Sequence, residues 1–141
     1  MKILFATDGS AAALSALMSL VDRRAWFSGN VTLTLLTVHL AIPFKRAAAW
    51  AGHDLLQKYY DEESDAALAP AIAALRSRGV AFETVKRVGD PASTIVAAAA
   101  ESGCDLIAMG AQGHSALAHL MLGSVATKVV ATSALPVLLL R

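Results

Sequence analysis

The residues with the clearest chemical use form a glycine-rich stretch in the last third of the chain. Gly110 and Gly113 are followed, after nine residues, by the pair Gly123-Ser124. Glycine lets backbone N–H groups approach a ligand closely, and a helix beginning at Ser124 offers unpaired N–H donors and the positive end of its dipole. Because such donors suit an anion, this spacing predicts a site for a phosphate chain.

Two better-known phosphate-binding loops do not fit this sequence. A P-loop needs a lysine directly after its last glycine, whereas Lys128 comes five residues after Gly123. The dinucleotide-binding fingerprint needs three glycines after the first strand, and the segment Thr7-Asp8-Gly9-Ser10 contains one. The spacing argues against a P-loop NTPase and against an NAD-dependent oxidoreductase.

The sequence lacks the usual patterns of metal ligands and catalytic residues. A zinc site on a helix needs two histidines in the spacing H-x-x-x-H, and no pair of histidines in this chain has it. A Ser-His-Asp catalyst would be expected on a G-x-S-x-G turn, which is also missing. We therefore expect no protein-held metal and no catalytic residue.

Short apolar runs alternate with helical patterns along the chain, which is typical of parallel strands joined by crossover helices. The pattern predicts strands at 2–7, 31–40, 81–88, 104–109 and 136–140. Helices are expected after the first strand, over 50–78, from Pro91 to Gly103 and over 124–132, with Pro70 kinking or splitting the second near Ala69. The glycine loop then follows the carboxyl end of the fourth strand, where open α/β sheets bind ligands.

Composition limits the class of protein further. A length of 141 residues fits one domain, over 1–141. Twelve basic against eleven acidic side chains give no field that would favour nucleic acid, and no apolar run is long enough to cross a membrane. The single Cys104 excludes an internal disulfide and fits a reducing, cytoplasmic setting.

These residues together resemble the universal stress protein family over essentially the whole chain. The family's nucleotide-binding signature is G-x2-G-x9-G-[ST], and the four residues of the glycine loop satisfy every position. The resemblance implies an open, Rossmann-like parallel sheet of order 3-2-1-4-5 with helices on both faces, and ATP between strands one and four. Four further segments look like the family: Asp8-Gly9-Ser10, Gly89-Asp90-Pro91, Asp105-Leu106-Ile107 and Pro136-Val137.

The resemblance also implies roles for single residues. Asp8 would contact the ribose or the adenosine, and Val38 would meet adenine through its backbone. His114 is not required by the motif, but from its place in the long loop it would donate to a phosphate oxygen. The chain departs from the family at Ala111 and Gln112, where a basic or hydroxylated residue is common. The phosphates would be held by Gly110, Gly113, Gly123 and Ser124.

The sequence thus predicts a regulatory protein of the stress response that binds ATP with Mg²⁺ and is not an enzyme. Slow hydrolysis or self-phosphorylation stays open, since a Mg-bound triphosphate needs only a positioned water or hydroxyl. The apolar run 136–140 would be an edge strand, which predicts a homodimer through that edge. The alternative is a dimeric interaction protein of the same fold that binds no nucleotide. An adenylate-forming enzyme would need a further substrate pocket or domain.

Overall fold

A single sheet of five parallel strands forms the centre of the molecule. The computed structural model describes residues 1–23, 25, 27, 29–42, 53–113 and 122–141. The strand order is β3-β2-β1-β4-β5, so the predicted order is confirmed. The strands are β1 (Lys2–Ala6), β2 (Thr32–His39), β3 (Phe82–Val88), β4 (Leu106–Gly110) and β5 (Val137–Leu140).

Helices cover both faces of this sheet, as the sequence predicts. They are α1 (Ala11–Asp22), α2 (His53–Ser77), α3 (Pro91–Glu101) and α4 (Ser124–Thr132). Because successive side chains of a strand point to opposite faces, β1 supplies both hydrophobic cores and reads as a continuous apolar run. One core joins Ile3 and Phe5 to Leu17 of α1 and Leu68 of α2, and the other joins Leu4 and Ala6 to Ile95 of α3 and Val129 of α4.

Helix α2 runs without a break through Pro70, so a split near Ala69 is not found. Pro70 is exposed, whereas Leu68, Ala71 and Leu75 around it are at most 3% exposed. The apolar face of the helix is thus packed on both sides of the proline, and this packing outweighs the loss of one backbone hydrogen bond. No helix in the described part of the chain is long and apolar enough to cross a membrane.

The fourth strand begins two residues later than predicted. The N–H of Cys104 donates to Ala99 O at 2.9 Å, so this residue still belongs to the turn that ends α3. Asp105 lies next to the start of β1, where its side chain accepts the N–H of Lys2 at 2.7 Å. Cys104 is buried, and burial raises the pKa of its thiol. It behaves as the small buried side chain that the sequence predicts.

Asp90 starts α3 at the carboxyl end of β3. Its carboxylate accepts the N–H of Ser93 at 3.1 Å and the Ser93 hydroxyl at 3.0 Å, and Pro91 occupies a position where no N–H is needed. The hydrogen bonds from Ser93 lower the pKa of the Asp90 carboxyl below its ordinary 3.8. A carboxyl with a lowered pKa stabilises the fold above the ordinary value and loses that effect as the pH falls through the lowered one.

We expect Asp90→Ala to reduce the free energy of unfolding at neutral pH, because α3 loses its N-terminal cap. The difference from wild type should shrink in acid, below the ordinary pKa of 3.8, as the wild-type carboxylate becomes protonated. Urea unfolding at a series of pH values measures both effects. Asp61→Ala, which removes an exposed carboxylate from α2, is the control. A difference that is the same at every pH would contradict the assignment.

Candidate functional site

An open cleft of about 320 Å³ lies at the carboxyl ends of β1 and β4. The chain leaves β1 for α1 on one face of the sheet and leaves β4 for α4 on the other, so the two connections diverge and leave a crevice between them. The structure brings six of the seven predicted site residues to this cleft, and His114 lies outside the described residues. The six are Asp8, Val38, Gly110, Gly113, Gly123 and Ser124.

The turn after β1 forms one wall of the cleft. The Thr7 N–H donates to Leu36 O at 2.9 Å, and beyond this bond β1 leaves the sheet. Asp8 Oδ1 accepts the Ser10 N–H at 2.9 Å, and Ser10 Oγ caps α1 by accepting the Ala13 N–H at 3.1 Å. Asp8 is therefore a turn residue and a cleft residue at once, because one carboxylate oxygen fixes the turn while the side chain lines the cleft.

The glycine loop forms the opposite wall, and its two ends are tied together. The Ala111 N–H donates to Leu140 O at 2.8 Å, and Ala111 O accepts the Gly123 N–H at 2.8 Å. A side chain at these glycines would meet the cleft walls: a Cβ on Gly113 would lie 3.0 Å from Asp8 Oδ2, and one on Gly110 would lie 3.0 Å from Gln112 O. The absence of side chains thus keeps the backbone of the loop open to the cleft.

Helix α4 differs from α1 and α3 in how it begins. Ser10 and Asp90 cap those two helices with side-chain hydrogen bonds, whereas α4 begins after Gly123, which makes none. Within the described part of the chain, no hydrogen-bond partner is found for the N–H groups of the first three residues of α4. These three residues, Ser124, Val125 and Ala126, all line the cleft. Unpaired donors and the positive end of a helix dipole therefore face the cleft.

The backbone of Val38 also faces this cleft. Leu36 O points to β1, where it accepts from Thr7, and His39 O points to β3, where it accepts the Gly89 N–H at 2.9 Å. Since successive residues of a strand point their N–H and C=O groups to alternate sides, those of Val38 point to the side of β1. Because β1 has ended, neither group has a partner among the described residues. The cleft thus offers one backbone donor and one acceptor side by side.

Sequence reasoning missed the contribution of α3. Pro91 and Ile95 line the cleft, together with Leu36 and Val38 of β2, and give it an apolar wall. Pro91 and Ile95 could have been predicted to line the cleft, because they lie in the first turns of a helix that follows a parallel strand. The two residues at which the chain departs from the family pattern have different surroundings. Ala111 is 5% exposed and is not part of the cleft lining, whereas Gln112 lines the cleft.

The electrostatics of the cleft come mainly from the backbone. Asp8 is the ionisable residue among the described residues that line it. In the same part of the chain, no group of three or more His, Cys, Asp or Glu side chains could hold a metal ion. The arrangement combines N–H donors for an anion at one end with an apolar wall and a donor–acceptor pair for a flat polar ring at the other.

Comparison with known sequences establishes the family. The sequence model that describes the universal stress protein family matches residues 1–141. A universal stress protein of Methanocaldococcus jannaschii, MJ0531, is 31% identical over 140 residues, which are 99% of this chain and 81% of that protein. The chain belongs to the universal stress protein family, as its glycine signature indicates.

Solved structures share the fold. The protein MJ0577 superposes with a TM-score of 0.74 at 28% identity, over 99% of this chain and 94% of its own. A universal stress protein of Archaeoglobus fulgidus superposes with a TM-score of 0.72 at 22% identity, over 100% of this chain and 98% of its own. A universal stress protein in complex with cAMP superposes with a TM-score of 0.60 at 26% identity, over 100% of this chain and 96% of its own.

Proposed function

We propose that this universal stress protein is a cytoplasmic regulatory protein that binds an adenine nucleotide in the cleft between β1 and β4 and does not turn it over rapidly. The observation that carries the proposal is the start of α4, which is uncapped, follows a glycine and points its first N–H groups into the cleft. Oxygen atoms of a phosphate satisfy such groups. A relative of 26% identity was crystallised with cAMP, which supports the same class of ligand.

The base would lie against the apolar wall, with its polar edge on Val38. Adenine presents a ring-nitrogen acceptor next to an amino donor, which complements the backbone N–H and C=O of Val38. Guanine presents a ring N–H donor next to a carbonyl acceptor, so in the orientation proposed for adenine it would place donor against donor and acceptor against acceptor. The backbone of Val38 therefore supports adenine as the base.

The phosphates would lie on the glycine loop, close to Gly110, Gly113, Gly123 and Ser124, with Asp8 on the ribose side. His114 is a further candidate donor from the long loop. ATP would carry Mg²⁺ with it, because Mg²⁺ is held largely by phosphate oxygens and water, and the described lining supplies one carboxylate. When bound, Mg²⁺ would neutralise part of the phosphate charge.

Equilibrium titration tests this proposal. Nucleotide-free protein is titrated by calorimetry with AMP, cAMP, Mg-ATP and GMP. We expect at least one of the adenine nucleotides to saturate a single site, and GMP to bind at least about tenfold more weakly than AMP, because mismatched polar groups on Val38 lose their hydrogen bonds. Equal binding of AMP and GMP would contradict the assignment of the base. Absence of binding would favour the alternative, an interaction protein of the same fold.

The outer edge of β5, which pairs with no strand among the described residues, supports a homodimer. The opposite edge, β3, carries ion pairs from Glu83 and Lys86 to the neighbouring residues Lys2 and Asp65, and such charges discourage strand pairing. The strand β5 carries only valine and leucine. Pro136 O accepts from Ile107 of β4, and Leu140 O accepts from Ala111 directly after β4. The N–H and C=O groups of Val137 and Leu139 therefore point outwards, where a second copy can pair with them.

We expect Leu139→Pro to be monomeric, whereas the wild type is dimeric. Proline at this position removes one outward N–H and leaves the hydrogen bonds to β4 intact. The matched control is Thr84→Pro, which removes an outward N–H from β3. The Gly89 N–H points to β2, and because directions alternate along the strand, the N–H of Thr84 points away from β2. Multi-angle light scattering at micromolar concentration gives the mass. A wild-type monomer, or an equal loss in both variants, would contradict the assigned edge.

A further inference from the structure

The segment that follows β2 is held from the side of α2. The N–H of Ile42 donates to the hydroxyl of Tyr60 at 2.8 Å. His39 Nδ1 lies 2.8 Å from Leu40 O, and because a carbonyl oxygen can only accept, Nδ1 carries the proton and donates. Residues 39–42 are thus fixed by two hydrogen bonds that involve side chains, one within the segment and one to α2.

Three rings surround these hydrogen bonds. The ring centroid of His39 lies 5.6 Å from that of Tyr59, edge to face, and 5.1 Å from that of Tyr60. The two tyrosine rings are 5.9 Å apart. Tyr60 is 8% exposed and Tyr59 is 42% exposed, so Tyr60 is the inner member. We call His39, Tyr59 and Tyr60 the aromatic clasp. Such ring pairs add to the hydrogen bonds in fixing the strand end.

The end of β2 needs this support because it has lost one neighbour. Among the described residues, no strand pairs with β2 on the side of β1 beyond Leu36, and the last backbone bond on the other side is Gly89 N–H to His39 O. Fewer backbone hydrogen bonds hold a strand end that is paired on one side only, so it opens more easily than the middle of the sheet. The pairing of Thr37 and His39 with β3 sets the direction in which the Val38 N–H and C=O point. The aromatic clasp holds the residues directly after this last pairing and so protects it.

We infer that Tyr60 is a positioning residue for base recognition, acting through residues 39–42 on the backbone of Val38. The inference rests on the proposed function, since it concerns how the same cleft selects its base. Tyr60 is not among the described residues that line the cleft, so it would act without touching the ligand. Its hydroxyl accepts the Ile42 N–H and so keeps the donor–acceptor pair of Val38 aimed at the polar edge of adenine.

The variant Tyr60→Phe tests this role, because it keeps the ring and removes the acceptor. We expect AMP to bind about three- to tenfold more weakly, the factor that one hydrogen bond of ordinary strength contributes. Ribose 5-phosphate, which has no base, should bind as it does to wild type, and the preference for AMP over GMP should fall. Loss of a merely structural contact would weaken AMP and ribose 5-phosphate alike.

The control is Tyr59→Phe, which removes a hydroxyl from the neighbouring ring of the clasp, and should leave all three affinities unchanged. A second readout needs no ligand: amide hydrogen exchange in residues 36–42 should rise in Tyr60→Phe and not in Tyr59→Phe. If wild type binds AMP and Tyr60→Phe keeps both its affinity and its preference over GMP, this inference is wrong and the proposed function stands. If wild type binds no adenine nucleotide, the proposed function fails and this inference with it.

Discussion

We expect the Gly113→Val protein to fold and to bind AMP at least about 100-fold more weakly than wild type, since two hydrogen bonds to a charged group are lost at about 1.5–3 kcal/mol each. A Cβ at this position would lie 3.0 Å from Asp8 Oδ2, in the space between the glycine loop and the turn after β1. The two further methyl groups of valine would project towards the cleft and hold a phosphate away from the backbone N–H groups. Calorimetric titration with AMP measures the loss.

Two variants control this experiment. Gly113→Ala adds the Cβ alone, and because the atom it meets is the end of the Asp8 side chain, which can shift, we expect a smaller loss than in Gly113→Val. Ala131→Val adds two methyl groups at an exposed position near the end of α4 and should bind AMP normally. Far-ultraviolet circular dichroism confirms folding. Wild-type affinity in folded Gly113→Val would show that the loop does not hold the phosphate.

The second large effect is on stability. We expect Gly9→Ala to lower the free energy of unfolding by about 2–5 kcal/mol, from roughly 1–2 for a left-handed backbone and about 1–3 for overpacking. Gly9 has φ +79°, and its Cβ would lie 2.9 Å from Ala67 Cα and 3.0 Å from Ala67 O. Those are backbone atoms of α2, which cannot move without displacing the helix. Urea unfolding measures the change.

The matched control is Gly29→Ala. Gly29 has nearly the same φ, +78°, and an added Cβ there would meet nothing within 4 Å among the described residues. This variant should therefore lose only the backbone part, about 1–2 kcal/mol. The difference between the two variants isolates the close approach of the turn to α2. If both lose the same stability, the contact with Ala67 contributes nothing.

Much of the fold could be predicted from the sequence because local and global signals agree. The strands β1 and β4 are buried on both faces and therefore read as short apolar runs between turn residues. Pro91 marks the start of α3 because its missing N–H costs nothing in the first turn of a helix, and Gly123 precedes α4 as its N-cap residue. Six predicted site residues meet in one cleft because parallel strands bring their carboxyl ends to one edge.

Other features depend on contacts that no local pattern reports. Helix α2 continues through Pro70 because Leu68, Ala71 and Leu75 are packed in the core. The rule that proline breaks a helix considers only the local sequence and therefore misses this packing. The aromatic clasp joins His39 to Tyr59 and Tyr60, which are about twenty residues away along the chain, so their proximity depends on how α2 crosses the sheet. Departures at Ala111 and Gln112 likewise needed the structure to show which one faces the cleft.

The most direct test of the central claim is to follow backbone amide resonances by NMR while AMP is added. The proposed function predicts saturable shifts in the amides of Val38, Gly113 and Ser124, because these N–H groups would acquire ligand acceptors. The amides of Thr84 on β3 and Ala100 on α3 should not move. Shifts confined to other regions, or none at millimolar AMP, would contradict nucleotide binding in this cleft.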